Sequence, residues 1–326
     1  MVSFIYSPDC YADIGWHVFP MEKYPLLADR LVKEEHIQEK DFLPPVPATQ
    51  EELLLVHTPQ YLDDLLNLRR TLSTVSSEMP LNRQIADFFV LTTGATIRAC
   101  REALKGGIGY NIGGGFHHAF PDHAEGFCYL NDVAVGIKVM LKENLIQRVA
   151  VVDCDLHQGN GTAVIFQNEP RVFTFSIHQE HLYPMKEESD LDIGLENETS
   201  DRQYLHLLSG ALEKVLAHEP ELVLFVAGAD PYEKDQLGNL KLTIEGLKER
   251  DKMVIGICRE RGIPLVITLA GGYAYDVQDT VQIHFNTALV ALDVEREMKI
   301  RREVEQEAEG HEKESEEKGT QRKSRR

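Results

Sequence analysis

A short apolar run that breaks into glycines and polar side chains, then passes into a helical pattern, recurs along this chain. No other feature restricts its fold so much. The clearest copy is Val151-Val152-Asp153-Cys154-Asp155-Leu156-His157-Gln158-Gly159-Asn160-Gly161. Residues 148–152 read as a strand buried on both faces, as in the middle of a parallel sheet. The polar residues and glycines then turn the chain off the strand's carboxyl end, the edge where open α/β sheets place ligands. In a strand, Asp153, Asp155 and His157 share one face, because side chains alternate with period two. Two carboxylates and an imidazole converging there could hold a divalent cation. Taken alone, the stretch reads equally as a helix-capping Asp beside a surface His.

Further strands are expected at 3–6, 109–112, 172–177, 222–227 and 264–269. Helical spacing marks 21–35, 85–104, 129–143, 161–167, 201–218, 243–261 and 276–292, with shorter helices after Thr49 and Thr58-Pro59. The segment 68–83 reads as a polar linker, and 178–200 as a long acidic loop suited to a site rim. This alternation implies one α/β domain, a parallel sheet between helices, over residues 1–294. Residues 295–326 carry ten acids, ten bases and almost no apolar side chains, so a frayed helix passing into disorder is expected.

The tail is therefore neutral, and the whole net charge of −19 belongs to the body. Such an acidic body disfavours direct nucleic-acid binding and favours cationic substrates or partners. No apolar run has membrane-spanning length, and residues 1–10 lack a signal-peptide pattern. Five cysteines without a CxxC pair argue for a reducing compartment, so a cytoplasmic protein is expected.

Other predicted strand ends carry chemistry as well. Gly113-Gly114-Gly115-Phe116-His117-His118 lets backbone approach a ligand and offers a base and an electrostatic partner, or else a solvated histidine pair. Asp230, after the run ending at Ala227, is a third metal carboxylate or an ordinary loop acid. Asp235 orders a loop or is surface charge. Tyr273, in Ala270-Gly271-Gly272-Tyr273, could set a phenol over a bound carbonyl or simply end a turn. Pooled, four strand ends deliver His-His, Asp/His, Asp and Tyr to one edge. Two carboxylates and one His leave a zinc coordination position open, as in a catalytic site, and the whole set describes amide hydrolysis.

The segments GGGFHHA, GFCYLND, DCDLHQGNG, GADPYEKDQLG and AGGY, in this order, resemble the zinc-dependent histone deacetylase family. HQGNG and SIHQEHLYP look most like its class IV branch and bacterial relatives. The resemblance runs from about Ser3 to Leu292 and implies the arginase/deacetylase fold, with a mostly parallel sheet of about eight strands flanked by helices. It implies Asp155, His157 and Asp230 as zinc ligands, His117 paired with Asp153, His118 as general base and Tyr273 as the carbonyl's partner. Gly126, Phe127 and Tyr183 would wall an acyl-lysine tunnel. A potassium ion would take Asp153, Asp155, Ser176 and the backbone oxygens of His157 and Ile177. Most of the family has Asp where this chain has Asn160, which bears on the proton affinity of His118.

The implied activity is hydrolysis of acyl-lysine amides in peptides or proteins. The rivals are deacetylation of a small amine such as an acetylpolyamine and, from another class, acyl-lysine binding without turnover. An arginase-like two-manganese site needs more ligands than a single Asp-x-His set provides.

Overall fold

The computed structural model describes residues 1–34 and 36–323. The apolar runs form strands because they have no polar side to turn outward: every residue of β2 (Ile108–Asn111), β3 (Val149–Asp153), β6 (Leu222–Val226) and β7 (Leu265–Thr268) is buried. With β1 (Val2–Ile5), β4 (Val172–Gln179) and β5 (Leu191–Leu195) they make a single seven-stranded sheet among the described residues. Its order is β1-β2-β7-β6-β3-β4-β5, and every pairing is parallel.

The strand count is one below the eight or so that the resemblance implies. The seventh strand, β5, lies inside the stretch expected to be a loop. Residues 191–194 alternate between half-buried and exposed before the buried Leu195, and the strand pairs only with β4, so no continuous apolar run marks it.

Short helices α2 (Gln50–Leu53), α3 (Pro59–Leu66) and α4 (Leu72–Val75) follow α1 (Lys23–Lys33), and α4 interrupts the segment expected to be a linker. One helical group is α5 (Arg83–Ala103), α6 (Asp132–Lys142) and α7 (Asn160–Phe166). The other joins α1 to α8 (Asp201–Leu216), α9 (Ile244–Glu260) and α10 (Val277–Lys323). Starts are fixed by side-chain caps: Thr58, Asn82, Asn131 and Thr243 each accept a first-turn amide hydrogen. The last helix does not end near 292 but continues through the charged stretch to Lys323. At its passage out of the body, Glu295 is buried and accepts from Arg259 Nε at 2.6 Å.

The order of strands sets the site. Four adjacent strands, β2, β7, β6 and β3, end level with one another, while β4 runs on past Ser176, the register partner of Asp153. Arg250 of α9 underpins the loops after two of them. Its Nη1 donates to the Gly228 carbonyl at 2.6 Å and the Cys154 carbonyl at 3.3 Å, while Nε donates to Asp251 at 2.9 Å. Both side chains are fully buried. Arg250→Met should leave Asp251 as an unpaired buried charge and lower stability by about 3–5 kcal/mol. Urea unfolding would read this directly, and a variant as stable as the parent would show that the clamp carries no net energy.

Candidate active site

Asp155 and His157 lie beyond β3, which ends at Asp153, so a turn and not strand alternation brings them together. The carboxylates build that turn. Asp153 Oδ1 accepts from the Asp155 amide at 3.1 Å, and Asp155 Oδ1 accepts from the His157 amide at 2.9 Å. Asp230, from the loop after β6, accepts from the Leu156 amide at 2.9 Å, and Asp155 Oδ2 from the Gly271 amide at 2.8 Å. Three loops are thus laced together through two acids. Gly271 is required there because a Cβ would run into the Asp230 carboxylate.

One ligand atom from each of Asp155, His157 and Asp230 lies within 4.8 Å of the others, and all three residues are buried. His157 Nδ1 is 3.3 Å from Asp155 Oδ1 and 3.2 Å from Asp230 Oδ2. Bonds of ~2.0–2.1 Å to a tetrahedral metal imply ligand separations of about 3.3 Å, so the donor set fits a small divalent cation. Its electrostatics fit as well. Burial favours a neutral His157, yet the two carboxylates hold the ring protonated up to about 10. Burial and then the charge of Asp155 push Asp230 up to about 6. The cluster is short of positive charge.

Behind it stand the two histidines on the loop after β2. His117 Nδ1 contacts Asp153 Oδ2 at 2.6 Å, and His118 Nδ1 contacts Asn160 Oδ1 at 2.7 Å. Their Nε2 atoms are 3.2 Å apart. Burial works against a charged His117, but Asp153 and Asp155 outweigh it and raise its pKa to about 9. For His118, burial acts with the neighbouring rings of His117 and His157, and the pKa falls well below the usual imidazole range. The pair is therefore polarised: one cation, one neutral base.

Tyr273 is held by its backbone. Its amide donates to Asp235 Oδ2 at 2.7 Å and its carbonyl accepts from Gln236 Nε2 at 2.9 Å. Asp235 is buried and also accepts from the Leu237 amide, so it orders this loop and is not surface charge. Burial and the nearby carboxylates Asp230 and Asp155 keep the phenol protonated. Tyr273 shares a cavity of about 230 Å³ with His118, His157, Gly126, Phe127, Tyr183, Leu182, Leu237 and Glu78. Phe127 and Tyr183 are both in its wall. Gly126 has φ +50°, and a Cβ there would strike the His118 ring and the Tyr183 hydroxyl.

Ser176 of β4 pairs in register with Asp153 of β3, so two of the three side chains expected around a potassium ion are neighbours. Ser176 Oγ lies 2.9 Å from His178 Nδ1, a buried residue not singled out in the sequence. Three other contributors also went unread. Asn131 caps α6 and donates to the His117 carbonyl at 3.2 Å, and Asp132 accepts from the Phe116 amide at 2.8 Å. The signal was the Asn-Asp pair at a helix start. Lys23 is buried and donates to the Ala270 carbonyl at 2.6 Å, with no sequence signal beyond a lysine in an apolar neighbourhood.

A buried cluster that could hold a metal, a histidine pair and a phenol thus meet at the carboxyl edge of a parallel sheet. Residues 17–288 match the histone deacetylase domain. An uncharacterized protein of Picosynechococcus is 38% identical over 89% of this chain and 98% of its own length. "Histone deacetylase 2" of Arabidopsis thaliana is 32% identical over 83% of this chain and 74% of its own. A solved HDAC homolog complexed with SAHA superposes with a TM-score of 0.77 at 27% identity, covering 89% of this chain and 84% of that one. The chain belongs to the histone deacetylase family, and hydrolysis of acetyl amides is its general chemistry.

Two outcomes follow from the geometry. Asp230→Ala removes one of three protein ligands and should sharply reduce bound divalent metal, read by metal analysis of the purified variant. Stoichiometric metal in that variant would place the site elsewhere. Asn160→Asp sets a negative charge against His118 Nδ1 and raises its proton affinity. A base works only when neutral, so activity is lost as pH falls through its pKa. The acidic limb of kcat/KM should therefore move to higher pH, by ~1–3 units for groups in contact. An unmoved limb in a fully metallated variant would detach Asn160 from the base.

Proposed function

We propose that this protein is a zinc-dependent amidohydrolase that removes acyl groups from lysine side chains of peptides or proteins. The observation that carries this reading is the cavity itself, whose lining residues Phe127, Leu182, Tyr183 and Leu237 are more exposed than the buried His118, His157 and Tyr273 that share it. Such walls suit the methylene chain of an acylated lysine with its amide at the floor. Asp155, His157 and Asp230 would hold zinc, which supplies Lewis acidity toward the carbonyl and the attacking water. Tyr273 donates its phenolic hydrogen to the carbonyl oxygen as negative charge develops there. His118 takes a proton from the attacking water and returns one to the departing amine. His117, kept cationic by Asp153, adds fixed positive charge beside the reacting atoms.

Potassium is assigned to Asp153, Asp155 and Ser176 with the backbone oxygens of His157 and Ile177. The burial of all five residues and the Asp153–Ser176 pairing support it. A reducing cytoplasm is the location we propose, and five free, buried cysteines are in keeping with it. No helix among the described residues is long and apolar enough to cross a membrane. The body's charge of −19 speaks against direct nucleic-acid binding. That charge, and Glu78 in the cavity lining, also favour a second substrate, a small acylated polyamine.

The deciding experiment is a turnover screen over acetyl-lysine peptides, longer acyl-lysine peptides and acetylated polyamines, with and without chelator and with metal content measured. Peptide hydrolysis abolished by chelator and restored by zinc is the expected result. Hydrolysis of polyamines alone would shift the substrate to small amines, and peptide binding without turnover would make the protein a binding module. In the active preparation, Tyr273→Phe should lower kcat on the order of a hundred- to thousand-fold with little change in KM. Near-parental kcat would take the phenol out of the reaction.

A further inference from the structure

Resting on that reading, we propose that Glu125 is a positioning residue: it locks the Asn160 amide and thereby decides which nitrogen of His118 is free to take a proton. Glu125 sits in the loop between β2 and α6, and its side chain is a quarter exposed. Its Oε1 accepts from Asn160 Nδ2 at 2.8 Å and from the Tyr183 hydroxyl at 3.1 Å. His123 Nε2 lies 3.5 Å from its other oxygen.

A carboxylate only accepts hydrogen bonds, so the amide must turn its NH2 group toward Glu125 and its carbonyl toward His118. That carbonyl oxygen also only accepts. His118 Nδ1, 2.7 Å away, must then carry the ring hydrogen. The lone pair is left on Nε2, on the side of His117 and the cavity. With the amide reversed, NH2 would face Nδ1, the hydrogen would move to Nε2, and the ring would present a donor where the reaction needs a base. Among the described residues, the side chain of Asn160 has no hydrogen-bond partner besides His118 and Glu125, so Glu125 is the contact that orients the amide from the side away from the ring. An Asp at 160 would need no such guide, because its two oxygens are equivalent. The hydroxyl of Tyr183 fixes Glu125 in turn, so one carboxylate anchors both the base's partner and the tunnel wall.

The test is a double-mutant cycle of Glu125→Ala and Asn160→Asp in zinc-loaded protein, with Glu125→Gln beside it, together with nitrogen NMR of the His118 ring. Glu125→Ala should lower kcat by about tenfold with KM little changed, the size of one lost hydrogen bond and its consequence for the tautomer. Glu125→Gln, which keeps an acceptor oxygen, should recover most of that loss. In the Asn160→Asp background, Glu125→Ala should cost nothing or raise kcat, since a neighbouring like charge is removed. The parent should show one His118 tautomer, hydrogen on Nδ1, and Glu125→Ala a mixture. An equal loss in both backgrounds would mark a purely structural role, and an unmixed tautomer in Glu125→Ala would overturn the proposal. The ring spectrum decides this even for a preparation that hydrolyses no substrate, an outcome that would remove only the amidohydrolase reading.

Discussion

Four carboxylates, those of Asp153, Asp155, Asp230 and Asp235, are buried within one cluster of loops, and the carboxyl edge of the sheet is built around containing them. Each isolated buried ion costs several kcal/mol, even after relaxation. Backbone amides of Asp155, His157, Gly271, Leu156, Leu237 and Tyr273 meet them, and hydrogen bonds to charged groups return ~1.5–3 kcal/mol each. Lys23 adds a buried cation: burial lowers its pKa to about 8, while Asp230, Asp155 and Asp235 pull the other way. These terms hold the loops in one arrangement and leave Asp155, His157 and Asp230 as a buried donor set that could hold a metal ion.

The same cluster explains why two adjacent histidines behave differently. Negative charge reaches His117 directly through Asp153, whereas His118 meets a neutral amide and the positive ring beside it. A single carboxylate at position 160 would make the pair nearly symmetric. The amide keeps one ring charged and the other available, at the cost of an end-for-end ambiguity that a carboxylate does not have.

Strands buried on both faces were legible because burial leaves an unbroken apolar run; β5 was not, because an edge strand with one neighbour may be polar on its open side. Asp155, His157, Asp230 and Tyr273 stood out because each sits just past such a run, although the turn that joins the first two is made by their own carboxylates. Glu125 and Lys23 left no trace in the sequence. Their partners lie 35 and 247 residues away, and only the fold brings an ordinary acid and an ordinary lysine to those positions.

Backbone conformation carries the same message. Glu78, Phe127 and Ala270 adopt φ values of +63°, +65° and +52°, a region that costs a residue with a Cβ roughly 1–2 kcal/mol. Two of them line the cavity, and the third precedes Gly271, whose amide holds Asp155. Such conformations persist only where neighbours over-determine them. Phe127 is fixed by its amide N–H, which donates to the Ser77 carbonyl at 2.9 Å. Ala270 is fixed on both sides, by its amide to the Gly114 carbonyl at 3.0 Å and by Lys23 on its own carbonyl. Lys23 thus acts twice, offsetting carboxylate charge and clamping the one residue whose twist aims Gly271 at Asp155 and Tyr273 into the cavity. Charge balance and catalytic geometry at this edge therefore rest on a shared set of contacts.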